Sequence, residues 1–231
     1  MSYVFEPAPI VAIPVVGSES QFPVRRIYCV GRNYVEHAQE MGFTGRELPF
    51  FFGKPADAII TGAPGETVTM DYPSKTQNLH FEAELVVAIG LGGKDIPAAD
   101  ALRHIWGYGV GLDMTRRDLQ NEQKKQGRPW EVGKAFEQSA PIAALHPIVD
   151  TGEITQGDVW LTVNGETRQK SDLSKLIWSV AEVIEHLSGL FTLQPGDLIF
   201  TGTPEGVGAV KPGDLIEVGV ASLTRLSVQV R

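Results

Sequence analysis

The most constraining stretch of the sequence covers residues 78–89, which read N-L-H-F-E-A-E-L-V-V-A-I. Its second half is apolar and rich in β-branched residues, a pattern typical of a buried strand. Glu82 and Glu84 stand two residues apart, and side chains with that spacing on a strand point to the same face. Two carboxylates so close to apolar sequence need a shared proton or a cation to offset their repulsion. The stretch therefore predicts a buried strand with an acidic pair.

A second predicted strand supplies a third carboxylate. Residues 105–113 are apolar and rich in glycine, which is consistent with a tightly packed strand that ends on Asp113. Three carboxylates without a cysteine or histidine cluster are hard oxygen ligands, suited to Mg²⁺, Mn²⁺ or Ca²⁺ rather than zinc. The alternative is that Glu82 and Glu84 face water at a sheet edge. Residue types alone leave both interpretations open.

A predicted helix over residues 33–41 carries His37 and Glu40, which are three apart and so share a face. A carboxylate can orient an imidazole and stabilise its charged form, which makes the histidine a candidate general base for water. An ordinary pair on a helix surface is the alternative interpretation.

Four cations and one loop are candidates for binding an anionic substrate. Backbone N–H groups and the hydroxyl of Thr203, in the glycine-rich loop 201–208, are suited to a carboxylate. Solvated surface charge is the usual fate of lysine and arginine, and it is the alternative for the four cations. The cations, which lie near predicted strand or helix ends and could bind carboxylates or an oxyanion, are Arg32, Lys54, Arg117 and Lys134.

Composition narrows the class of protein. With 231 residues the chain is long enough for one large domain. A net charge of -8 argues against general nucleic-acid binding, although a local pocket can still bind a small anion. No apolar run approaches the ~20 residues of a membrane span. The single Cys29 and the absence of a secretory signal pattern at the N-terminus predict a cytoplasmic protein.

The chain divides into an N-terminal extended arm, residues 1–24, and a single domain, residues 25–231. The arm contains four prolines and a possible short strand at 10–16. Residues 158–169 predict a hairpin around Asn-Gly, and an apolar stripe predicts a helix over 174–187. Many short strands and few helices predict a β-rich α+β fold.

Six ordered motifs resemble the fumarylacetoacetate hydrolase superfamily, and more narrowly its small branch of acylpyruvate and fumarylpyruvate hydrolases. Two departures are His80, where many members have Asp, and Ala-Phe-Glu after Lys134, where many have Ser-Phe-Asp. The motifs are G-R-N-Y-V-E-H-A-Q-E (31–40), F-G-K-P (52–55), N-L-H-F-E-A-E-L (78–85), G-L-D-M-T-R-R-D-L-Q (111–120), K-A-F (134–136) and G-D-L-I-F-T-G-T-P-E-G-V-G (196–208).

The resemblance implies a mixed β-sandwich roll of the fumarylacetoacetate hydrolase C-terminal-domain type, usually as a homodimer. It implies that Glu82, Glu84 and Asp113 hold Mg²⁺ or Mn²⁺ and that His37 and Glu40 activate water. The remaining family positions are Lys134 and Gln120, which stabilise the oxyanion and place the substrate, and Arg117 and Thr203, which contact the bound oxo-acid. Lys54 lies nearby, and Arg32 is a substrate-binding candidate from its residue type and position alone.

The activity implied is hydrolysis of the C–C bond of an acylpyruvate in aromatic-compound catabolism. Fumarylpyruvate, which would give fumarate and pyruvate, is the preferred substrate. An oxaloacetate decarboxylase or tautomerase, a ring-cleavage-pathway isomerase and a non-catalytic binding protein are the alternatives. Arg46, Arg116 and Arg128 are all candidates for contacting a second substrate carboxylate.

Overall fold

The computed structural model describes residues 2–35 and 46–231. Its strands are β1 (Ala12–Pro14), β2 (Gln21–Pro23), β3 (Ile27–Gly31), β4 (Phe50–Lys54), β5 (Ile59–Ile60), β6 (Thr67–Met70), β7 (Leu79–Phe81), β8 (Ala83–Ile89), β9 (Ile105–Leu112), β10 (Thr115–Arg116), β11 (Ala140–Pro141), β12 (His146–Pro147), β13 (Asp158–Val163), β14 (Glu166–Asp172), β15 (Leu198–Phe200), β16 (Gly208–Val210), β17 (Leu215–Val220) and β18 (Leu226–Val230). The α-helices are α1 (Arg117–Lys125), α2 (Glu131–Lys134), α3 (Ile148–Thr151) and α4 (Val180–Leu190), and 3-10 turns cover Ala56–Ala58, Ala98–His104 and Leu173–Lys175.

Strand β8 lies inside a six-stranded sheet with the order β12-β9-β8-β15-β3-β4. Leu85 and Val87 pack into the core shared with a five-stranded sheet, β14-β13-β17-β18-β6. Val86 and Ala88 point to the opposite face and join a second apolar cluster. Because both faces of β8 are covered, its sequence from Leu85 to Ile89 is continuously apolar rather than alternating. The two facing sheets confirm the predicted β-rich α+β sandwich.

The second apolar cluster is closed by the N-terminal residues. The predicted strand at 10–16 forms only at β1, which pairs with β2 in an antiparallel hairpin. Ile13 and Phe22 from this hairpin are buried in the second cluster. Backbone hydrogen bonds of 2.9 Å tie Pro14 and Val16 to Leu145. Residues 11–24 therefore pack on the domain, whereas residues 2–10 are exposed.

The predicted strand at 78–89 is interrupted at Glu82. Strand β7 pairs with β10 and β16 in a three-stranded sheet, whereas β8 pairs with β9 and β15 in the large sheet. The chain passes from one sheet to the other at Glu82, so this residue belongs to neither strand. This change of sheet is not visible in the sequence, because the period-two alternation of apolar residues continues unbroken from Phe81 to Ala83 and Leu85.

The predicted helix at 174–187 is wrong at both ends, since α4 spans Val180–Leu190. Ser179 begins it with a capping box, in which its hydroxyl accepts from the Glu182 N–H and the Glu182 carboxylate accepts from the Ser179 N–H. Leu176 and Ile177 fit the apolar stripe but precede the helix, and the Ile177 N–H donates to the Asn33 carbonyl at 2.8 Å. No helix within the described ranges is long and apolar enough to cross a membrane.

Removing the α4 cap should destabilise the protein moderately. Ser179→Ala deletes the hydroxyl that accepts from the Glu182 N–H, and we expect urea unfolding to show a loss of about 1 kcal/mol. Ser179→Thr, which keeps a hydroxyl that can accept from the Glu182 N–H and donate to the Glu182 carboxylate, should stay close to wild type. Equal stability of the alanine variant and wild type would contradict the capping role.

Candidate active site and metal centre

Glu82, Glu84 and Asp113 converge on one point. Each offers a carboxylate oxygen, and these oxygens lie within 4.8 Å of one another. All three residues are buried. Carboxylates gathered this closely away from water form a candidate site for a hard divalent cation.

Strand register produces this convergence. In the β8–β9 pair, Ala83 lies opposite Leu112 and Glu84 opposite Gly111. Glu82 immediately precedes β8 and Asp113 immediately follows β9. The same register, continued by one residue, places Glu82 opposite Asp113. The Asp113 N–H donates to the Glu82 carbonyl at 2.9 Å and fixes that step.

Buried cations surround the carboxylates. Lys134 Nζ donates to Glu82 Oε2 at 2.8 Å and to Asp113 Oδ2 at 2.6 Å. Arg117 pairs with the other oxygen of Glu82. Lys54 Nζ lies 2.8 Å from Asp113 Oδ1. Three of the four sequence-predicted cations are thus interleaved with the carboxylates in one buried network of opposite charges.

One oxygen in the network lacks a hydrogen bond. Asp113 Oδ1 is buried and close to Lys54 Nζ, but the ammonium directs its donors to the carbonyls of Met114, at 3.1 Å, and Lys134. The fit to a metal ion rests on the three buried carboxylates, each of which offers an oxygen within 4.8 Å of the others. The residues present therefore fit a divalent, oxygen-ligated cation such as Mg²⁺ or Mn²⁺.

Glu84 also favours a bound cation. Burial, and then the charges of Asp113 and Glu82, raise the pKa of its carboxyl well above its usual range. The Gly202 N–H, which donates to Glu84 Oε2 at 2.7 Å, offsets this only in part. Without a metal, the site therefore favours the protonated form of Glu84 more than water does, and a divalent ion would favour the charged form.

His80 lies close to Arg117 and Glu82 at the edge of the site. Its Nε2 lies 2.9 Å from Asn78 Oδ1. Burial, and then the charge of Arg117, lower the pKa of the imidazole to about 4. His80 is thus neutral at neutral pH and contributes no charge to the metal centre.

A pocket opens beside the carboxylates. Among the substrate-binding candidates, Lys54 does not line it, because its ammonium is fully buried under Asp113. Its position favours a role in holding Asp113 rather than substrate. The predicted residues His37 and Glu40 lie outside the described residues. The residues that line the pocket are Val30, Gly31, Arg32, Phe50, Phe52, Glu82, Glu84, Arg117, Gln120, Trp130, Lys134 and Thr203.

Gln169 is a buried residue of this site that the sequence analysis missed. Its Oε1 accepts from the Ala83 N–H at 3.0 Å, between the two glutamates. Its Nε2 donates to Thr203 Oγ1 at 2.9 Å and to the Pro204 carbonyl at 2.8 Å. One side chain from β14 thus joins the carboxylate pair to the loop that carries Thr203.

Asn33 makes a similar connection at the opposite side of that loop. Its Nδ2 donates to the Thr201 carbonyl at 2.8 Å and to the Trp178 carbonyl at 3.0 Å, while its Oδ1 accepts from the Trp178 N–H. Gly202 packs directly on Asn33 with a φ of 104°, so a larger residue there would clash. The loop is therefore held in place from both sides.

The family model for the fumarylacetoacetate hydrolase C-terminal domain matches residues 26–231. The chain belongs to this family. The resemblance inferred from the six motifs is thereby confirmed, together with its β-rich fold.

Similar proteins of known name include a fumarylpyruvate hydrolase and enzymes named for reactions of oxaloacetate. A crystal structure of fumarylpyruvate hydrolase from Pseudomonas aeruginosa, in complex with Mn²⁺ and pyruvate, is 55% identical and superposes with a TM-score of 0.97 over 99% of both chains. The rat mitochondrial oxaloacetate tautomerase FAHD1 is 43% identical over 89% of this chain and 91% of its own. The Dictyostelium discoideum mitochondrial oxaloacetate decarboxylase is 38% identical over 86% and 90%. Hydrolase, tautomerase and decarboxylase activities all occur among these relatives.

Replacing the buried Glu84 should stabilise the metal-free protein. The pKa of Glu84 is higher in the folded protein than in the unfolded protein. Above the ordinary pKa of glutamate, the folded protein therefore binds more protons than the unfolded protein, and its stability falls as the pH rises. In EDTA at neutral pH, Glu84→Gln should be more stable than wild type in urea unfolding, and the gain should disappear at about pH 4, below the ordinary pKa of glutamate.

Bound Mn²⁺ should make wild type more stable than Glu84→Gln. At Mn²⁺ concentrations near 100 times its dissociation constant, wild type should gain about 2.7 kcal/mol, and Glu84→Gln much less. Glu122→Gln, an exposed change on α1, is the matched control and should behave as wild type. An unchanged Mn²⁺ response of Glu84→Gln would remove Glu84 from the metal centre.

Gln169→Leu should weaken both stability and metal binding. The change leaves the Ala83 N–H and the Pro204 carbonyl buried without this partner, so we expect a loss of about 2 kcal/mol or more. Mn²⁺ affinity, measured by calorimetry, should fall about 10-fold, because Gln169 no longer holds the backbone between Glu82 and Glu84. The exposed Gln126→Leu should change neither quantity, and wild-type affinity in Gln169→Leu would refute the connection.

Proposed function

We propose that this protein is a metal-dependent hydrolase that cleaves the C–C bond of acylpyruvates, with fumarylpyruvate as the preferred substrate. The observation that carries the proposal is the likeness to the Pseudomonas aeruginosa fumarylpyruvate hydrolase along the full length of both chains. The buried oxygen-ligand site supports it independently, since that enzyme was crystallised with Mn²⁺ and pyruvate.

The charge of the site suits a dianionic substrate. When ionised, Glu82, Glu84 and Asp113 are balanced by the three neighbouring cations, which are Lys54, Lys134 and Arg117. A divalent metal would leave the buried site with an excess of two positive charges. Because isolated charge is costly away from water, such a site favours a substrate that brings compensating negative charge.

Different groups at the site are suited to different parts of the substrate. Arg117 Nη1 donates to Gln120 Oε1 at 2.6 Å, which orients the glutamine amide beside the metal centre. We assign Arg117, Gln120 and Thr203 to the carboxylate and oxo group of the pyruvyl end. A divalent ion held by Glu82, Glu84 and Asp113 would act as a Lewis acid that stabilises the enolate of the leaving pyruvate.

Lys134 is suited to stabilising an oxyanion. Burial alone lowers the pKa of its ammonium, but the charges of Asp113 and Glu82 outweigh burial and raise the pKa. Lys134 therefore stays charged at neutral pH and serves as a fixed hydrogen-bond donor rather than a base.

Proton transfer is assigned to His37 and Glu40 on the family motif alone. His37 would remove a proton from water, and the hydroxide oxygen would bond to the distal carbonyl carbon of the substrate. The bond between that carbon and the pyruvyl methylene then breaks, and its electron pair forms the enolate of pyruvate. Protonation of that enolate yields pyruvate, while the acyl fragment leaves as fumarate.

An oxaloacetate tautomerase or decarboxylase is the second candidate function. It is favoured by the 43% and 38% identical relatives with those names. These reactions also pass through an enolate of an oxo-acid, but they need no attacking water. A homodimeric assembly, the cytoplasmic location, a role in aromatic catabolism and residues 25–231 as the catalytic unit stay predictions.

A substrate panel separates the two functions. With Mg²⁺ or Mn²⁺, we expect loss of the fumarylpyruvate chromophore with release of fumarate and pyruvate, and slower cleavage of acetylpyruvate. Both should stop in EDTA. If oxaloacetate alone is converted, at rates above the metal-catalysed background, hydrolysis is excluded and the second candidate function holds.

His37→Ala should abolish hydrolysis while it preserves Mn²⁺ binding, because the histidine is assigned to water and not to the metal. The rate of fumarylpyruvate cleavage should fall at least about 100-fold, a typical effect of losing a general base. Calorimetry with Mn²⁺ provides the control for an intact metal centre. Turnover close to wild type would end the assignment of His37 as the base.

A further inference from the structure

One tryptophan, Trp178, contacts the chain on both sides of residues 36–45. The predicted base His37 and its partner Glu40 belong to this segment. The residues that precede and follow the segment therefore set the two points between which His37 must lie along the chain. The Trp178 backbone binds the residues before the segment, and the Trp178 indole ring binds the residues after it.

The attachment before the segment is made by backbone and amide hydrogen bonds. The Asn33 side chain donates to the Trp178 carbonyl at 3.0 Å and accepts from the Trp178 N–H at 2.8 Å. The Ile177 N–H donates to the Asn33 carbonyl at 2.8 Å, and Tyr34 forms a β-bridge with Leu176. Asn33 and Tyr34 are buried, so water does not compete for these hydrogen bonds.

The attachment after the segment is made by the indole ring. Its N–H donates to the Glu47 carbonyl at 3.0 Å. The Arg46 guanidinium lies over the ring, 4.0 Å from the ring centre, and pairs with Glu182 at 2.6 Å. Tryptophan is the aromatic side chain that attracts a cation most strongly. The opposite support for the ring comes from His186 of α4, which contacts it edge-on at 4.7 Å.

The contacts of the indole outweigh the ion pair at Arg46. The side chains of Arg46 and Glu182 are 52% and 32% exposed, and ion pairs that water reaches contribute little to stability. The indole supplies both a stacking surface and a hydrogen-bond donor. Replacing the Trp178 side chain therefore removes most of the attachment after the segment. The hydrogen bonds with Asn33 involve only the Trp178 backbone and are retained.

Both attachments lie close to the metal centre along the chain. Gly31, two residues before Asn33, and Phe50, three residues after Glu47, line the same pocket as Glu82. Within the described ranges, Trp178 itself does not line that pocket. Its contacts can therefore affect the reaction only through other residues, and the segment that carries His37 lies between the two attachments.

We propose that Trp178 is a positioning residue, which holds the chain on both sides of residues 36–45 so that His37 can reach the attacking water. The proposal rests on the proposed function, in which His37 removes a proton from water. A general base must lie within hydrogen-bond reach of that proton, and a misplacement of about 1 Å can cost about 100-fold in rate. Trp178 itself contacts neither the substrate nor the metal.

Trp178→Leu should therefore slow the reaction without weakening ligand binding. With Mn²⁺ and fumarylpyruvate, we expect kcat to fall about 10- to 100-fold, while the affinities for Mn²⁺ and for pyruvate, measured by calorimetry, stay within about 2-fold of wild type. Trp178→Phe keeps a flat ring for Arg46 but lacks the indole N–H, so it should lose less activity than Trp178→Leu.

Trp160→Leu is the matched control. It removes another half-buried tryptophan that carries a stacked arginine, with Arg225 at 5.1 Å from the ring centre, and it should leave kcat unchanged. A wild-type kcat in Trp178→Leu would overturn the proposal. A parallel loss of pyruvate affinity would also overturn it, because the change would then act through Asn33 on the loop that carries Thr203.

A double-mutant cycle distinguishes positioning of His37 from a general loss of structure. If Trp178 acts through His37, Trp178→Leu should change the residual rate of His37→Ala by less than about 2-fold, because the group that it positions is already absent. A similar loss in the wild-type and His37→Ala backgrounds would show that Trp178 acts independently of His37, and would overturn the proposal.

The same cycle separates this proposal from the proposed function. If His37→Ala is inactive and Trp178→Leu is fully active, the positioning role fails and the assignment of the base stands. If wild type hydrolyses no acylpyruvate, the proposed function is refuted, and the cycle is measured on conversion of oxaloacetate. A loss in Trp178→Leu that disappears in the His37→Ala background would then support the positioning role, and independent losses would overturn it.

Discussion

The backbone hydrogen bond from Asp113 to Glu82 is the constraint on which the site depends. It extends the β8–β9 ladder by one step and brings carboxylates from two strands together within a buried region. Like charges there would repel each other strongly, so the surrounding protein must supply compensation. Lys134 bridges two of the carboxylates, and Lys54 and Arg117 complete the network. With all three carboxylates ionised, the charges of this cluster balance, and it can accept a divalent ion together with an anionic substrate.

Much of the site could be predicted from sequence because its parts follow local rules. The two-residue spacing of Glu82 and Glu84 places them together on any strand, and Asp113 ends an apolar run. Lys134 and Arg117 were recognised from motif context. The sequence could not reveal that Lys54 lies beneath Asp113 rather than in the pocket, because burial of a lysine depends on partners remote in sequence.

Gln169 shows why other parts could not be predicted. A regular two-residue hairpin would set Gln169 opposite Trp160, but an irregularity between Leu161 and Thr162 shifts the register so that Gln169 lies opposite Leu161. Residues opposite one another share a face, and Leu161 is in the core, so the glutamine turns inward to the Ala83 N–H. A one-residue bulge leaves no clear trace in hydrophobic periodicity. The late start of α4 has a comparable cause, since the capping box at Ser179 overrides the apolar stripe.

The relatives named as hydrolase, tautomerase and decarboxylase share a fold and a type of substrate. All three reactions involve an enolate, and hydrolysis differs by requiring water to attack a carbonyl carbon. The most direct test of the account is therefore cleavage of fumarylpyruvate by the Mn²⁺-loaded protein in heavy-oxygen water, followed by mass spectrometry of the products. The account predicts one heavy oxygen atom in the newly formed carboxylate of fumarate. Absence of labelled fumarate, with the metal bound, would contradict hydrolysis.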